Sequence, residues 1–266
     1  MTELIETATA AARAGGAVLL RSWRALPKDS VEEKQKNDFV TQADRDSEAA
    51  IIERIREDFP DDAFLGEEGG ASGGKNAKRT WIIDPLDGTS NFVSGFPFWS
   101  VSIAARQGEE LVVAAVWDPL REEMYAAERG SGASRNGTAV GVTDRRDLDG
   151  AFLATGFPFR HREKIDLYLS LFREVFQHAR AIRRAGSAAL DLAMVAAGVF
   201  DGFFEFRLSV WDIAAGALLI REAGGELTDF SGGGEFWSRG NIVAGTHGVA
   251  RGLREIAAPL FREDQI

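Results

Sequence analysis

Residues 80–92 read TWIIDPLDGTSNF, and this stretch decides how the rest of the chain is organised. Its first residues are aromatic and β-branched, which is typical of a buried strand. Asp84 and Asp87 follow, and Gly88 permits a sharp turn into a helix that we expect to begin at Thr89. The stretch therefore predicts a strand that leads through two acidic residues into a helix.

The two carboxylates at the end of this strand need a partner. Like charges this close in a buried position cost several kcal/mol for each uncompensated ion. A hard divalent cation removes that cost, and free N–H groups at the start of the following helix attract an anion. Together with the hydroxyls of Thr89 and Ser90, these groups indicate a site for phosphate and Mg²⁺. The alternative is a tight turn in which each aspartate caps its own backbone.

Outside this stretch, the apolar pattern predicts two different halves. Helical spacing occurs at residues 3–23 and 46–59, and short strands joined by turns occur at 98–106, 111–117 and 123–128. After residue 150, strands at 152–155, 181–184, 203–206, 226–229 and 241–244 alternate with helices at 164–178, 187–199, 210–223 and 249–261. We expect Ser187 to cap one of these helices. The pattern predicts a single unit over 1–266, in which a mainly antiparallel half (1–150) packs on an α/β half (151–266) as a layered α+β fold.

The composition excludes several classes of protein. The 266 residues are 45% apolar and carry a net charge of −10, which argues against nucleic-acid or anionic-membrane binding. The absence of cysteine excludes disulfides, thiolate nucleophiles and cysteine-ligated metals. Glu3 and Glu6 stand where an export signal would be basic, and the apolar run 111–117 is far shorter than the ~20 residues of a membrane span. A cytoplasmic protein fits these features best.

Further acidic residues stand at the ends of predicted elements. Glu67 follows the strand-like residues 63–66, Asp38 and Asp44 bracket a short apolar run, and Asp212 opens an apolar helix. Taken singly, Asp44 is explained as a helix cap and Asp212 as a first-turn acid that the helix dipole favours. Their recurrence beside the 80–92 stretch points instead to one shared site.

These motifs together resemble the inositol monophosphatase family. They are KNDFVTQAD at 36–44, GEE at 66–68, WIIDPLDGTSNF at 81–92, RRAGSAALDLA at 183–193, DGFFE at 201–205 and WDIAAG at 211–216. The matches run in order from the first helix to about residue 245. The family belongs to the Mg²⁺-dependent, lithium-sensitive phosphatases, which include the fructose-1,6-bisphosphatases. The resemblance implies a layered α-β-α-β-α sandwich and a homodimer.

The resemblance also implies a metal role for each matching acid. It implies that the ligands of a first metal are Glu67, Asp84 and the Leu86 carbonyl. Asp84, Asp87 and Asp212 hold a second, and Glu67 reaches a third, weaker Mg²⁺. Asp38 and the Thr89 hydroxyl are expected to orient and deprotonate the attacking water.

The remaining matches imply substrate contacts. The main-chain N–H groups of Gly88 and Thr89, with Ser90 nearby, are expected to hold the phosphate. The polyol contacts fall on Asp87, Gly186, Ser187, Ala188, Glu205 and Asp212. For Glu205 the alternative is an exposed acid on a strand edge.

The sequence and the resemblance predict a Mg²⁺-dependent phosphomonoesterase that hydrolyses myo-inositol monophosphate to inositol and phosphate by attack of activated water, with two to three Mg²⁺ per site. Within the same enzyme class, the alternatives are fructose 1,6-bisphosphate, 3′-phosphoadenosine 5′-phosphate, histidinol phosphate and NADP. Two other classes remain open: a mainly protein-binding role with the transcription machinery, and metal binding without catalysis.

Overall fold

The computed structural model describes residues 2–24, 31–35, 38–74, 77–159, 161–234 and 236–261, and for 31–35 and 38–41 it describes the backbone. The helices are α1 Glu3–Ser22, α2 Gln42–Asp58, α3 Thr89–Ser94, α4 Ile165–His178, α5 Ala188–Ala196, α6 Val210–Glu222, α7 Phe236–Arg239 and α8 His247–Ala257. The strands of the first half are β1 Val31–Gln35, β2 Asp38–Thr41, β3 Ala63–Gly66, β4 Gly70–Ser72, β5 Thr80–Asp87, β6 Ser100–Gln107, β7 Glu110–Asp118, β8 Glu123–Glu128, β9 Ala133–Arg135 and β10 Thr138–Val140. Those of the second half are β11 Phe152–Thr155, β12 Ala181–Arg183, β13 Gly202–Glu205, β14 Glu226–Thr228 and β15 Ile242–Gly245.

A large sheet carries the first half of the chain. Its strand order is β10-β9-β8-β7-β6-β5-β3-β4, and every neighbouring pair is antiparallel except β3 and β5. Trp81 and Ile83 of β5 point to one face, where they pack in a core with Leu19 of α1 and Ile51 of α2. Ile82 points to the opposite face, as the two-residue period of a strand requires.

A second sheet, of order β12-β11-β13-β15-β14, carries the second half. Phe203 of β13 faces a core shared with α5, α6 and the large sheet, whereas its neighbour Phe204 faces a core with Tyr168 of α4 and Leu253 of α8. Helices α5 and α6 therefore lie between the two sheets, and α4 and α8 cover the outer face of the second. The layers run α-β-α-β-α, which confirms the predicted fold class.

Strand β5 differs from its prediction in one respect that matters for function. It continues past Ile83 to Asp87, so both aspartates lie within the strand instead of following it. The pairing with β6 shifts between Asp84, opposite Ser102, and Asp87, opposite Ser100, which leaves one extra residue on β5. The sequence predicts a strand over 80–83 only. Proline cannot donate a hydrogen bond to a neighbouring strand, yet a bulge tolerates it, so β5 can continue through Pro85.

The other predicted elements lie close to their predicted bounds, whereas β1, β2, β4, β9, β10 and α7 were not predicted. The strands 123–128 and 152–155 are found at the predicted residues, and the predicted helix 46–59 begins four residues earlier, at Gln42. Among the described residues, the helices are all too short or too polar to cross a membrane.

Candidate active site

A cleft with a volume of about 170 Å³ lies where β5, α3, α5, α6 and β13 meet. It is lined by every predicted site residue whose side chain is described: Glu67, Asp84, Leu86, Asp87, Gly88, Thr89, Ser90, Gly186, Ser187, Ala188, Glu205 and Asp212. The exception is Asp38, which begins β2 and whose side chain lies outside the described residues.

Three carboxylates converge in this cleft. Asp84, Asp87 and Asp212 each place an oxygen within 4.8 Å of the other two, and all three are at most 9% exposed. Burial raises the pKa of Asp84 well above its ordinary value, and the charges of Glu67, Asp87 and Asp212 raise it further. A buried acidic group of this kind fits a hard cation that accepts oxygen ligands.

Two of these acids also form the local capping hydrogen bonds that the sequence offered as an alternative to metal binding. Asp84 accepts the Leu86 N–H on Oδ1 at 3.0 Å, as a self-capping turn would require. Asp212 lies in the first turn of α6 and accepts the Ser209 N–H on Oδ2 at 2.7 Å, in a capping arrangement. Each contact fixes one carboxylate oxygen and orients the side chain. Local capping and metal binding are therefore compatible at both positions.

Asp87 joins the two halves of the molecule. Its Oδ2 accepts hydrogen bonds from the Ser187 hydroxyl at 2.6 Å and from the Ala189 N–H at 2.7 Å. Ser187 occupies the N-cap position of α5, but its side chain makes no cap, contrary to the sequence prediction. Its hydroxyl bonds to Asp87 and Ser100 instead, and Asp87 accepts the N–H group that a capping serine would have accepted.

Thr89 lies close to Asp44, an acid that the sequence analysis placed near the shared site without assigning it a catalytic or metal role. The Thr89 Oγ1 lies 3.1 Å from the Leu86 carbonyl oxygen and 3.4 Å from Asp44 Oδ1. Asp44 is 1% exposed in the first turn of α2. Ser47, one turn further along, donates to the Pro85 carbonyl at 3.1 Å and so attaches α2 to β5. Asp44 stands in the motif 36–44, which was the available signal for its role.

The loop that carries Glu67 is held by a residue that sequence reasoning missed. Glu48 of α2 is 5% exposed, and its two carboxylate oxygens accept the N–H groups of Glu68 at 3.0 Å and Gly69 at 2.7 Å. A Cβ at Gly66 or Gly69 would lie within 2.6 Å of this carboxylate, so a larger residue at either position would displace Glu48 from its present place. No motif in the sequence indicated this contact, because it depends on the packing of α2 beside β3.

The opposite wall of the cleft carries Glu205 and Asp191. Glu205 ends β13, the central strand of the second sheet, so it is not an acid on a strand edge. A Cβ on Gly156 would lie 2.0 Å from the Glu205 carboxyl carbon, which shows how tightly that carboxylate packs. Asp191 of α5 also lines the cleft and was not predicted as a site residue.

Aromatic rings and a cation form the rim on this side. The Arg184 guanidinium lies 5.0 Å from the ring centre of Phe159 and 5.7 Å from that of Phe157. A Cβ on Gly186, which has φ +96°, would lie 2.6 Å from Arg184 Nη1, so glycine lets the arginine fold across this loop. The rim thus places one positive charge beside a cleft whose interior is acidic.

The chain belongs to the inositol monophosphatase family, which matches residues 1–264. It is 48% identical over 249 residues to the Nus factor SuhB of Pseudomonas aeruginosa, covering 92% of each chain. Among solved structures, the extragenic suppressor protein SuhB of Bartonella henselae has a TM-score of 0.91 at 39% identity, with 96% of this chain and 98% of that one covered. The inositol monophosphatase of Anabaena has a TM-score of 0.86 at 34% identity, with 99% and 98% covered. The family is one of Mg²⁺-dependent phosphatases.

Proposed function

We propose that this protein is a Mg²⁺-dependent phosphomonoesterase that hydrolyses myo-inositol monophosphate to inositol and phosphate. The observation that carries the proposal is the convergence of Asp84, Asp87 and Asp212, whose oxygens lie within 4.8 Å of one another in a cleft. Burial and mutual repulsion make such a group costly unless a cation or protons neutralise it. Glu67 lines the same cleft and adds a fourth carboxylate.

The donor set fits Mg²⁺ because it consists of carboxylate oxygens and one carbonyl, without sulfur or imidazole. In the proposal, Glu67, Asp84 and the Leu86 carbonyl hold one ion and Asp84, Asp87 and Asp212 hold another, with Glu67 available to a third. When bound, Mg²⁺ supplies charge neutralisation of the phosphate and activation of water.

The protein's own groups orient the reacting parts. Gly88, Thr89 and Ser90 line the cleft, and the N–H groups of Gly88 and Thr89, with Ser90 beside them, are proposed to hold phosphate oxygens. The Thr89 hydroxyl has two acceptors within reach, the Leu86 carbonyl and Asp44. Because the Leu86 carbonyl is a proposed metal ligand, Asp44 is the acceptor that remains for this hydroxyl. We therefore assign orientation and deprotonation of the attacking water to Thr89 and Asp44. Asp38 was first expected in this role and stays a prediction.

The wall formed by Gly186, Ser187, Ala188 and Glu205 is proposed to receive the alcohol. The Ser187 side chain is fully buried and bonded to Asp87, so only its main chain is available to a substrate. A carboxylate such as Glu205 accepts hydrogen bonds from hydroxyl groups and suits a polyol. The other small phosphates remain alternatives: fructose 1,6-bisphosphate, 3′-phosphoadenosine 5′-phosphate, histidinol phosphate and NADP.

A homodimer in the cytoplasm is the proposed state of the protein. One apolar stripe supports it: Ile165, Leu169 and Phe176 of α4 are 39%, 45% and 60% exposed, and they recur at helical spacing along one face. A second copy would cover this stripe. Light scattering on the wild type and on Leu169→Lys tests the proposal, because a dimer that uses this face should dissociate in the variant, and a monomeric wild type would contradict it.

A role with the transcription machinery is a second candidate, and the relatives named Nus factor SuhB favour it. It does not exclude catalysis. Binding of the wild type and of Asp84→Asn to purified transcription elongation complexes tests it. Equal binding by both would support a role that is independent of phosphatase activity, and no binding by either would contradict it.

Phosphate release from a substrate panel tests the main proposal. The panel contains myo-inositol 1-phosphate and the four alternative substrates, each with Mg²⁺, with Mg²⁺ plus Li⁺, and with EDTA. We expect the highest kcat/KM for myo-inositol 1-phosphate, inhibition by Li⁺ and loss with EDTA. Absence of turnover across the panel, in a folded protein that binds Mg²⁺, would overturn the proposal.

A further inference from the structure

Asp191 stands out in the cleft because its carboxyl group lacks a hydrogen-bond partner within the described part of the chain. Its Oδ1 is buried without a partner, and the whole residue is 1% exposed. In the part of the chain that the structure describes, the two other buried side-chain atoms without a partner are indole nitrogens, Trp99 Nε1 and Trp211 Nε1. A buried carboxyl oxygen without a hydrogen bond costs more than an unpaired indole N–H, so the position calls for an explanation.

Two polar side chains of the same cleft, those of Asp87 and Thr155, have protein partners. Asp87 accepts from Ser187 and Ala189, and Thr155, on the same wall, donates to the Phe204 carbonyl at 2.7 Å. Asp191 lies one helical turn beyond Ser187 on α5, and its main-chain N–H donates to the Ser187 carbonyl at 2.9 Å. Asp191 is also one of the residues that line the cleft.

The charges near Asp191 indicate what it does not bind. Glu205 and Asp87 surround it with negative charge, and Arg184 is the cation that acts on it. A phosphate oxygen would be repelled on this wall. A neutral group that donates hydrogen bonds, such as an alcohol hydroxyl, meets no such repulsion and satisfies the unpaired oxygen.

We propose that Asp191 is a substrate-binding residue that receives a hydroxyl group of the alcohol part of the substrate, beside Glu205. The inference rests on the proposed phosphatase function, because it takes the phosphate to lie at Gly88 and Thr89 and the alcohol on the opposite wall. Asp191 thereby selects alcohols that carry several hydroxyl groups over alcohols that carry none. A site built to bond a hydroxyl discriminates strongly against a ligand that lacks it, since its own polar group is then left unpaired.

Two ligands of the same ring size test the proposal. Myo-inositol 1-phosphate and cyclohexyl phosphate differ in the hydroxyl groups of the ring, and their non-hydrolysable phosphonate analogues permit calorimetric binding measurements in the presence of Mg²⁺. The variants are Asp191→Leu, which keeps the approximate shape and removes both oxygens, and Asp191→Asn, which keeps one acceptor. The matched control is Asp118→Asn, because Asp118 is a fully buried aspartate bonded to Leu120 and Arg121 away from the cleft.

We expect Asp191→Leu to weaken binding of the inositol phosphonate about 10-fold or more and to leave binding of the cyclohexyl phosphonate within about 2-fold. Asp191→Asn should retain most of the preference for the inositol ligand, and Asp118→Asn should not change it. Equal losses for both ligands, or no loss for either, would overturn the proposal. The same holds if the wild type binds both ligands equally.

Turnover of the two parent phosphates separates this inference from the proposed function. A wild type that binds the inositol phosphonate through Asp191 but releases no phosphate would leave the inference standing and overturn the phosphatase proposal. If the wild type hydrolyses inositol 1-phosphate and Asp191→Leu keeps the full ligand preference, the phosphatase proposal stands and the inference about Asp191 is overturned. If Asp191→Leu does not fold, the absence of any change in ligand preference between Asp191→Ala and the wild type would overturn the inference.

Discussion

The Asp87 carboxylate accepts a hydrogen bond of 2.6 Å from the Ser187 hydroxyl, although the two residues lie 100 positions apart in the chain. The same oxygen accepts the Ala189 N–H, so Asp87 of the first half caps the N-terminus of α5 in the second half. Asp87 also belongs to the group of three acids in the cleft. The proposed metal binding and the docking of the two halves therefore depend on one side chain. Its substitutions should separate these two roles.

Asp87→Asn should abolish Mg²⁺-dependent turnover and keep the fold, because an amide oxygen can still accept from Ser187 and Ala189 but supplies no charge. Asp87→Ala should also abolish turnover, and should lower the free energy of unfolding by about 1–3 kcal/mol, since it leaves buried donors without an acceptor. Urea unfolding in EDTA, together with phosphate release, measures both. Full kcat in Asp87→Asn would refute the metal assignment.

Asp44→Asn should lower kcat about 100-fold or more, with little change in KM, if Asp44 acts on water through the Thr89 hydroxyl. Thr89→Ser keeps a hydroxyl and should be affected less than Thr89→Val. Steady-state kinetics with saturating Mg²⁺ provides the measurement. Asp38→Asn is the informative comparison: if it alone loses kcat, the role belongs to Asp38 instead.

Glu48→Ala should raise the Mg²⁺ concentration required for half-maximal activity, because the loop 67–69 loses the acceptor of two N–H groups and Glu67 is no longer held. Amide hydrogen exchange at Glu68 and Gly69 should accelerate in the metal-free variant, which gives a readout that does not depend on activity. Glu53→Ala, on the exposed face of the same helix, is the control. Unchanged exchange at both amides would show that Glu48 does not hold the loop.

Stability should depend on pH through Asp191. Burial, with the charges of Glu205 and Asp87, raises the pKa of Asp191 well above its ordinary value of 3.8, against the opposing effect of Arg184. The folded state then binds a proton that the unfolded state has released, so this group lowers stability as the pH rises from 3.8 through the raised pKa. Asp191→Asn should therefore gain stability over the wild type with increasing pH, and the gain should shrink toward pH 4. Thermal unfolding over a pH series measures it, and a difference independent of pH would contradict it.

Much of this protein was predictable from its sequence because the signals are local. Helix and strand positions follow from the spacing of apolar residues, and the acids at 84 and 87 stand beside a strand and a glycine turn that neighbouring residues specify. The resemblance of six motifs to one family extended these signals to the α-β-α-β-α layers and to a single cleft. The end of β5 was missed because a bulge beside proline depends on pairing with β6 and not on β5 alone.

The tertiary structure decided the contacts that no near neighbour specifies. The Ser187 hydroxyl bonds to Asp87 instead of capping its own helix, and the Thr89 hydroxyl lies beside Asp44. Glu48 accepts a hydrogen bond from Gly69 in the loop that follows Glu67. The tertiary structure also leaves Asp191 Oδ1 buried without a hydrogen-bond partner among the described residues. Each of these depends on how two elements distant in the chain pack, and local propensity carries no information about that geometry. The sequence determined which elements form and which chemistry they carry, and the packing of the layers determined which side chains act together.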